Sequence, residues 1–181
     1  VHPHIPVLAS NGDTTLAVQK AGHASLVQTQ GDQWYMPHLC GRPLPGTQRC
    51  NLGRETAIQK MEWRDDGWLY VAGGGNNPKE TVDAPDLPLH PWPELEPNIP
   101  FTSTHFATPR GPASTIEPTD TILRLYGSES LESCFPKSLL ARRLTSHNLP
   151  ATTHLTFSPT SFQQMAGLTA YYNNRLFHHL Y

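Results

Sequence analysis

The sequence predicts an all-β protein built in two pieces. Proline and glycine are frequent, with 18 and 13 among 181 residues, and apolar residues make up only 37% of the chain. Apolar side chains recur in short alternating runs that end at turn residues, a pattern typical of strands rather than helices. Many short strands and turns are therefore expected, without long helices.

The first piece extends to about residue 75 and contains two hairpin patterns. Residues 23–29 and 33–39 flank Gln30-Gly31-Asp32, and residues 55–63 and 68–72 flank the sequence RDDG. Two consecutive hairpins make one four-stranded antiparallel sheet, the size of a propeller blade. A sandwich agrees equally well with this pattern. Trp34, Tyr35, Trp63 and Trp68 are predicted to fill the sheet cores.

Residues 76–100 are rich in proline and show no apolar periodicity. Proline removes backbone donors and favours extended neighbours, so this segment is predicted to be a linker or a strap laid along a surface. The second piece follows, and its strand-like runs, separated by turn residues, favour a β-sandwich. These runs are residues 121–127, 138–144, 151–159 and 165–174.

Charge and hydropathy argue against a nucleic-acid partner and against a membrane-spanning segment. Lys and Arg number 13 against 15 Asp and Glu, with no basic stripe, so no nucleic-acid partner is expected. No apolar run is long enough to span a membrane.

Cys40, Cys50 and Cys134 are predicted to be free thiols, with a Cys40–Cys50 disulfide as the alternative. Their spacing does not suit a structural zinc.

The residues alone give no complete catalytic pair. The chain contains no glycine-rich phosphate loop, no GxSxG and no HExxH. Most carboxylates fall in turns or in the strap. Glu55 begins a predicted strand, but the adjacent Arg54 favours its ionised form and makes it a poor general acid.

Four collinear stretches carry a family resemblance. AGHASLVQTQGDQWYMPHLCGRPL, LGRETAIQKMEWRDDGWLYVAGGG, SLLARR and FQQMAGLTAYYN resemble the β-xylosidases and α-arabinofuranosidases of glycoside hydrolase family 43. The resemblance implies a five-bladed β-propeller with an axial sugar site, then a concanavalin A-like (jelly-roll) β-sandwich. Residues 1–75 would be the last part of the propeller, 76–100 the strap and 101–181 the start of an incomplete sandwich. We expect the chain to be part of a longer protein.

The resemblance also implies an inverting exo-glycosidase acting on short xylo- or arabino-oligosaccharides, with an Asp base and a Glu acid that lie upstream of this chain. No catalytic residue maps onto it, so the chain alone is expected to be inactive. Arg54 matches the arginine that donates to hydroxyls of the released sugar. His23 matches a histidine near the site floor. Structural roles are the alternatives: Arg54 would tie blades together, and His23 would be a buried hydrogen-bonding histidine.

The resemblance implies no required cofactor, although a cation near His23 would fit some family members, and no protein metal site is expected. A homo-oligomer of the full-length protein is left open. The compartment is open too, with the cytoplasm slightly favoured over secretion. A non-catalytic carbohydrate-binding or structural β-sandwich module is the alternative function, and upstream Asp and Glu motifs would discriminate between the two.

Overall fold

A computed structural model describes residues 1–92 and 98–181, so residues 93–97 of the predicted strap lie outside it. It divides the chain into two compact units, Val1–Pro91 and Trp92–Tyr181. In the described ranges the regular structure consists of eleven strands, with no helix. No helix there could cross a membrane. The all-β prediction is confirmed. The unit boundary falls inside residues 76–100, and the predicted three-part division itself stays a prediction.

The first unit contains one antiparallel sheet. The strands are β1 Gln19–Gly22, β2 Val27–Gln28, β3 Trp34–Gly41, β4 Glu55–Trp63 and β5 Leu69–Val71. Their order is β1-β3-β4-β5, and β2 also pairs with β3. The predicted hairpins are both present: Val27 pairs with Tyr35, and Trp63 pairs with Leu69.

The first two strands occupy the same edge of β3. Gly22 pairs with Leu39, and Val27 pairs with Tyr35. Between these pairs the Ser25 amide donates to the Pro37 carbonyl at 3.0 Å. The strands β1 and β2 thus form one interrupted strand, and the sheet has four positions across its width, as expected for a propeller blade.

The core of the first unit lies on one face of this sheet. Met61, Leu69 and Val71 are buried there together with Leu8, which the N-terminal segment contributes. Trp34 packs against this cluster and is only partly buried. Because the apolar positions of β4 and β5 alternate with period two, their inward residues meet on the same face.

The first part of the strap lies along the sheet of its own unit. The Tyr35 hydroxyl donates to the Asp83 carbonyl at 3.0 Å. The Asp86 amide donates to Gln33 Oε1 at 2.7 Å. The segment has no strand of its own between residues 76 and 91. It behaves here as the surface-bound strap that its proline content predicts.

The second unit consists of three two-stranded antiparallel sheets in its described part. Three of the four predicted runs contain a strand, but residues 151–159 contain none, and that prediction is wrong. Leu155 and Phe157 in this run are 50% and 43% exposed. An alternating run becomes a strand only where another strand pairs with it. The paired strands are β6 Phe106–Ala107 with β9 Ala141–Arg142, β7 Ile116–Pro118 with β8 Leu123–Leu125, and β10 Leu168–Asn173 with β11 Leu176–Leu180.

A buried lysine joins a loop to β10 in this unit. Lys137 is 2% exposed, and its ammonium donates to the carbonyls of Leu131 and Ser133, each at 2.7 Å. It also donates to the Tyr171 hydroxyl at 3.2 Å. All three acceptors are neutral, so hydrogen bonds rather than an ion pair satisfy this buried charge.

Candidate functional site

Arg54 and Glu55 mark the start of β4. Glu55 is the first residue of the strand and lies opposite Cys40, near the end of β3. Arg54 directly precedes the strand and is exposed. The hairpin register therefore places the guanidinium-bearing residue at the end of the central strands, where a ligand can approach it.

Glu55 forms an ion pair with Arg42. Arg42 Nη2 donates to Glu55 Oε1 at 2.7 Å, and Arg42 Nε donates to Oε2 at 3.1 Å. The Glu55 carboxylate in turn raises the pKa of Arg42 above its ordinary value, through the hydrogen bonds first and the charge attraction second. Sequence analysis considered only Arg54 as the cation beside Glu55. Arg42 was missed because its proximity follows from the β3–β4 register, not from sequence distance.

His23 follows β1 and is exposed, not buried as its structural alternative required. Its φ is 50°, a left-handed conformation that histidine adopts only occasionally. The adjacent Gly22 pairs with Leu39, which pairs with Thr56. His23 and Arg54 thus belong to the same half of the sheet, with β3 between them. Two strand spacings separate them by about 10 Å sideways, and Arg54 lies about three residues, roughly 10 Å, further along the strand direction.

His38 lies on β3, between the two predicted site residues, and sequence analysis did not select it. It is 2% exposed, and its Nδ1 lies 2.8 Å from the Leu39 carbonyl oxygen. Since that oxygen can only accept, Nδ1 carries the proton. Nε2 is the buried side-chain atom that has no hydrogen-bond partner in the described part of the chain. A histidine inside an otherwise apolar central strand was the available sequence signal.

The aromatic residues that a sugar site would use for stacking lie elsewhere. Trp34 and Trp63 contact each other edge to face, with ring centroids 5.7 Å apart. Trp63 is the last residue of β4, about 25 Å from Glu55 at the extended rise per residue. Tyr35 is buried as predicted, whereas Trp63 and Trp68 are 50% and 40% exposed, so their predicted burial is only partial.

Hydrogen bonds lower the pKa of three described carboxyl groups: Thr15 bonds to Asp13, Arg64 to Glu62 and Tyr70 to Asp66. A general acid at neutral pH needs a raised pKa. These three groups therefore serve as ionised hydrogen-bond acceptors.

No group of three or more His, Cys, Asp or Glu in residues 1–92 and 98–181 is placed to hold a metal. The cation near His23 stays a prediction. Cys40, Cys50 and Cys134 are free thiols, as predicted. Burial, followed by the charge of Glu55, raises the pKa of the Cys40 thiol above its ordinary 9.0.

Two family models match the chain. The model described as glycosyl hydrolases family 43 matches residues 1–69. The model described as the β-xylosidase C-terminal concanavalin A-like domain matches residues 98–181. The two models together match most of the chain, and the resemblance to glycoside hydrolase family 43 is confirmed. The predicted fold class, part of a β-propeller followed by a concanavalin A-like domain, is confirmed.

Individual β-xylosidases and xylosidase/arabinosidases resemble the chain over nearly its whole length. A β-xylosidase of Bacillus subtilis is 43% identical and covers 96% of the chain. Xylosidase/arabinosidase 43B of Humicola insolens is 40% identical over 95% of it. The crystal structure of a xylan β-1,4-xylosidase from Bacillus halodurans matches 97% of the chain with a TM-score of 0.84 and 45% identity. The chain spans about a third of these proteins, 35%, 33% and 35% of their respective lengths.

Proposed function

We propose that this chain forms part of an inverting exo-glycosidase that removes xylose or arabinofuranose from short (arabino)xylo-oligosaccharides. The chain would supply substrate contacts and a concanavalin A-like domain rather than the reacting carboxyl groups. The names of the similar proteins, β-xylosidase and xylosidase/arabinosidase, support this substrate class.

The observation that carries the proposal is the position of Arg54. Arg54 is exposed at the start of β4, in the motif GRETAIQ, and the same strand contributes Met61 to the core. A guanidinium stays charged at all working pH values and presents several N–H donors in a fixed plane. Arg54 is therefore suited to donate hydrogen bonds to sugar hydroxyls in the subsite of the released residue.

The chemistry of inversion assigns the remaining tasks to other residues. One carboxylate activates a water and one carboxylic acid protonates the leaving oxygen, roughly 6.5–9.5 Å apart so that the water fits between them. The three carboxyl groups with a lowered pKa lie elsewhere in the sequence: Asp13 precedes β1, Glu62 is near the end of β4, and Asp66 is in the turn between β4 and β5. We propose that the base and the acid belong to an upstream propeller region, and that this chain alone does not hydrolyse glycosides.

The proposal is tested by hydrolysis of a chromogenic xyloside and a chromogenic arabinofuranoside. Two proteins are compared: the chain alone, and the chain joined to its upstream propeller region. Only the longer protein should be active, and Arg54→Ala should lower its kcat/KM by about 10- to 100-fold, because a charge-assisted hydrogen bond to the sugar is lost. The NMR signal of the first sugar released should show the inverted anomer.

Arg49→Ala is the matched control, since it removes an exposed arginine from the loop before Arg54. It should leave kcat/KM unchanged. The proposal would be overturned if Arg54→Ala left the activity of the longer protein unchanged. It would also be overturned if the first sugar released kept the anomeric configuration of the substrate. An inactive longer protein, together with sugar binding by the chain alone, would favour the carbohydrate-binding module instead.

A further inference from the structure

We infer that Arg42 is a positioning residue for Arg54, acting through the carboxylate of Glu55. This inference rests on the proposed function, because it assigns to Arg42 an effect on the same sugar contact. Arg42 lies twelve positions before Arg54 in the chain, and the turn between β3 and β4 brings the two arginines to the same end of the sheet.

The contact between Arg42 and Glu55 has the geometry that fixes orientation. Three N–H···O distances of 2.7, 3.1 and 3.2 Å connect the Nη2 and Nε atoms of Arg42 to both carboxylate oxygens. Two-point contacts of this kind are stronger and more directional than a single ionic contact. They restrict rotation of the carboxylate as well as its distance from the guanidinium.

The position of the pair explains why it would act on Arg54. The ladder between β3 and β4 ends at the Cys40–Glu55 pair, and Arg42 lies two residues beyond Cys40. The ion pair thus extends the connection between the strands past the last backbone pair. Because Arg54 is joined to Glu55 by a peptide bond, restricting Glu55 also restricts the direction in which Arg54 leaves the sheet.

The pair also has an electrostatic consequence. Arg42 donates to both oxygens of Glu55, so its positive charge offsets the charge of the carboxylate that follows Arg54 in the chain. The Arg42 side chain is 51% exposed and that of Glu55 20% exposed, so solvent screens the pair and its effect on overall stability should be small.

A double-mutant cycle in the longer, active protein separates positioning from general stabilisation. Arg42→Ala should lower kcat/KM by about 10-fold when Arg54 is present, and by less than about 2-fold in the Arg54→Ala background. Glu55→Gln should reproduce the loss and should add nothing to Arg42→Ala. Arg42→Lys should recover only part of the activity, since lysine offers a point charge instead of a planar fork. Arg49→Ala is the control and should leave kcat/KM unchanged in both backgrounds.

The outcomes distinguish the two proposals. If Arg42→Ala and Glu55→Gln cost the same with and without Arg54, the pair acts independently of it and the inference is overturned. If Arg54→Ala has no effect, the proposed sugar contact fails, and the positioning role fails with it. If Arg42→Ala strongly lowers the thermal unfolding midpoint, Glu55→Gln and Arg42→Lys take its place in the test. Their losses of kcat/KM are then compared with and without Arg54 in the same way.

Discussion

The side chain of Gln59 pairs with the backbone of Lys79 as a neighbouring strand would. Gln59 Nε2 donates to the Lys79 carbonyl at 2.9 Å, and the Lys79 amide donates to Gln59 Oε1 at 3.0 Å. Gln59 is fully buried, whereas Lys79 is exposed, so the two hydrogen bonds are partly buried. One side chain of β4 thereby connects the sheet to the strap.

Replacing Gln59 should destabilise the first unit. Gln59→Leu keeps the approximate volume but leaves the amide and carbonyl of Lys79 without partners, which should cost about 2–4 kcal/mol of unfolding free energy. Urea denaturation of the protein measures this loss. Gln30→Leu, at an exposed turn position, is the control and should change stability by less than about 0.5 kcal/mol. If the two substitutions changed the unfolding free energy equally, the hydrogen bonds of Gln59 to Lys79 would not be stabilising the first unit as claimed.

His23 should be sensitive to replacement in two separable ways. His23→Asn preserves tolerance of the left-handed φ of 50° but removes the imidazole, so kcat/KM of the active protein should fall by about 10-fold at unchanged stability. His23→Val should also cost about 1–2 kcal/mol, because a β-branched residue is strained there. Lys20→Asn, at another left-handed position with φ 58°, is the control. Full activity of His23→Asn would remove His23 from the site.

Lys137 should contribute strongly to the stability of the second unit. Lys137→Met leaves the partly buried carbonyls of Leu131 and Ser133 without their donor, which should cost about 1–3 kcal/mol. Thermal unfolding, compared with the exposed control Arg175→Met, measures this effect. An unchanged midpoint would mean that water replaces the ammonium without penalty.

Asp66 should make stability depend on pH on the acid side. The Tyr70 hydroxyl, at 2.6 Å, and then the Trp68 amide hold the pKa of Asp66 below its ordinary 3.8. A lowered folded-state pKa contributes stability that is full above 3.8 and is lost as the pH falls through the folded value.

This dependence can be measured by comparing unfolding midpoints of the wild-type protein and Asp66→Asn between about pH 6 and pH 2. The wild-type protein should be the more stable one at the upper end, and the difference should shrink below pH 3.8. Asp65→Asn removes the neighbouring charge without touching the bond to Tyr70, and its difference from the wild type should not follow this course. A constant difference for Asp66→Asn would refute the assignment.

The strands that were predicted correctly are those whose alternating pattern and turn residues lie within one short stretch of sequence. Strand β4 covers the predicted residues 55–63, because alternation and the RDDG turn both lie within one hairpin. Strand β1, with the sequence QKAG, was missed since it has no β-branched or aromatic residue and is a strand only through its pairing with β3. Residues 151–159 show the opposite case, a good pattern without a pairing partner.

The same distinction applies to the candidate site. Arg54 and His23 were selected through motifs, which are properties of contiguous sequence. Arg42 and His38 stand out only after the β3–β4 register places one beside Glu55 and the other between the two predicted residues. Proximity across a sheet depends on register, and one sequence alone specifies register poorly where a turn is long.

The strap's attachment to the sheet has a consequence for how its sequence can change. Gln59, Tyr35 and Gln33 all bind backbone atoms of the strap, at residues 79, 83 and 86. Since every residue type offers the same carbonyl, and all but proline the same amide, most single substitutions in this segment should leave the attachment intact. An inserted or deleted residue, by contrast, would shift these backbone atoms away from their hydrogen-bond partners on the sheet. Residues 79–86 are thus constrained in number far more than in composition, and they should accept side-chain substitutions more readily than insertions or deletions.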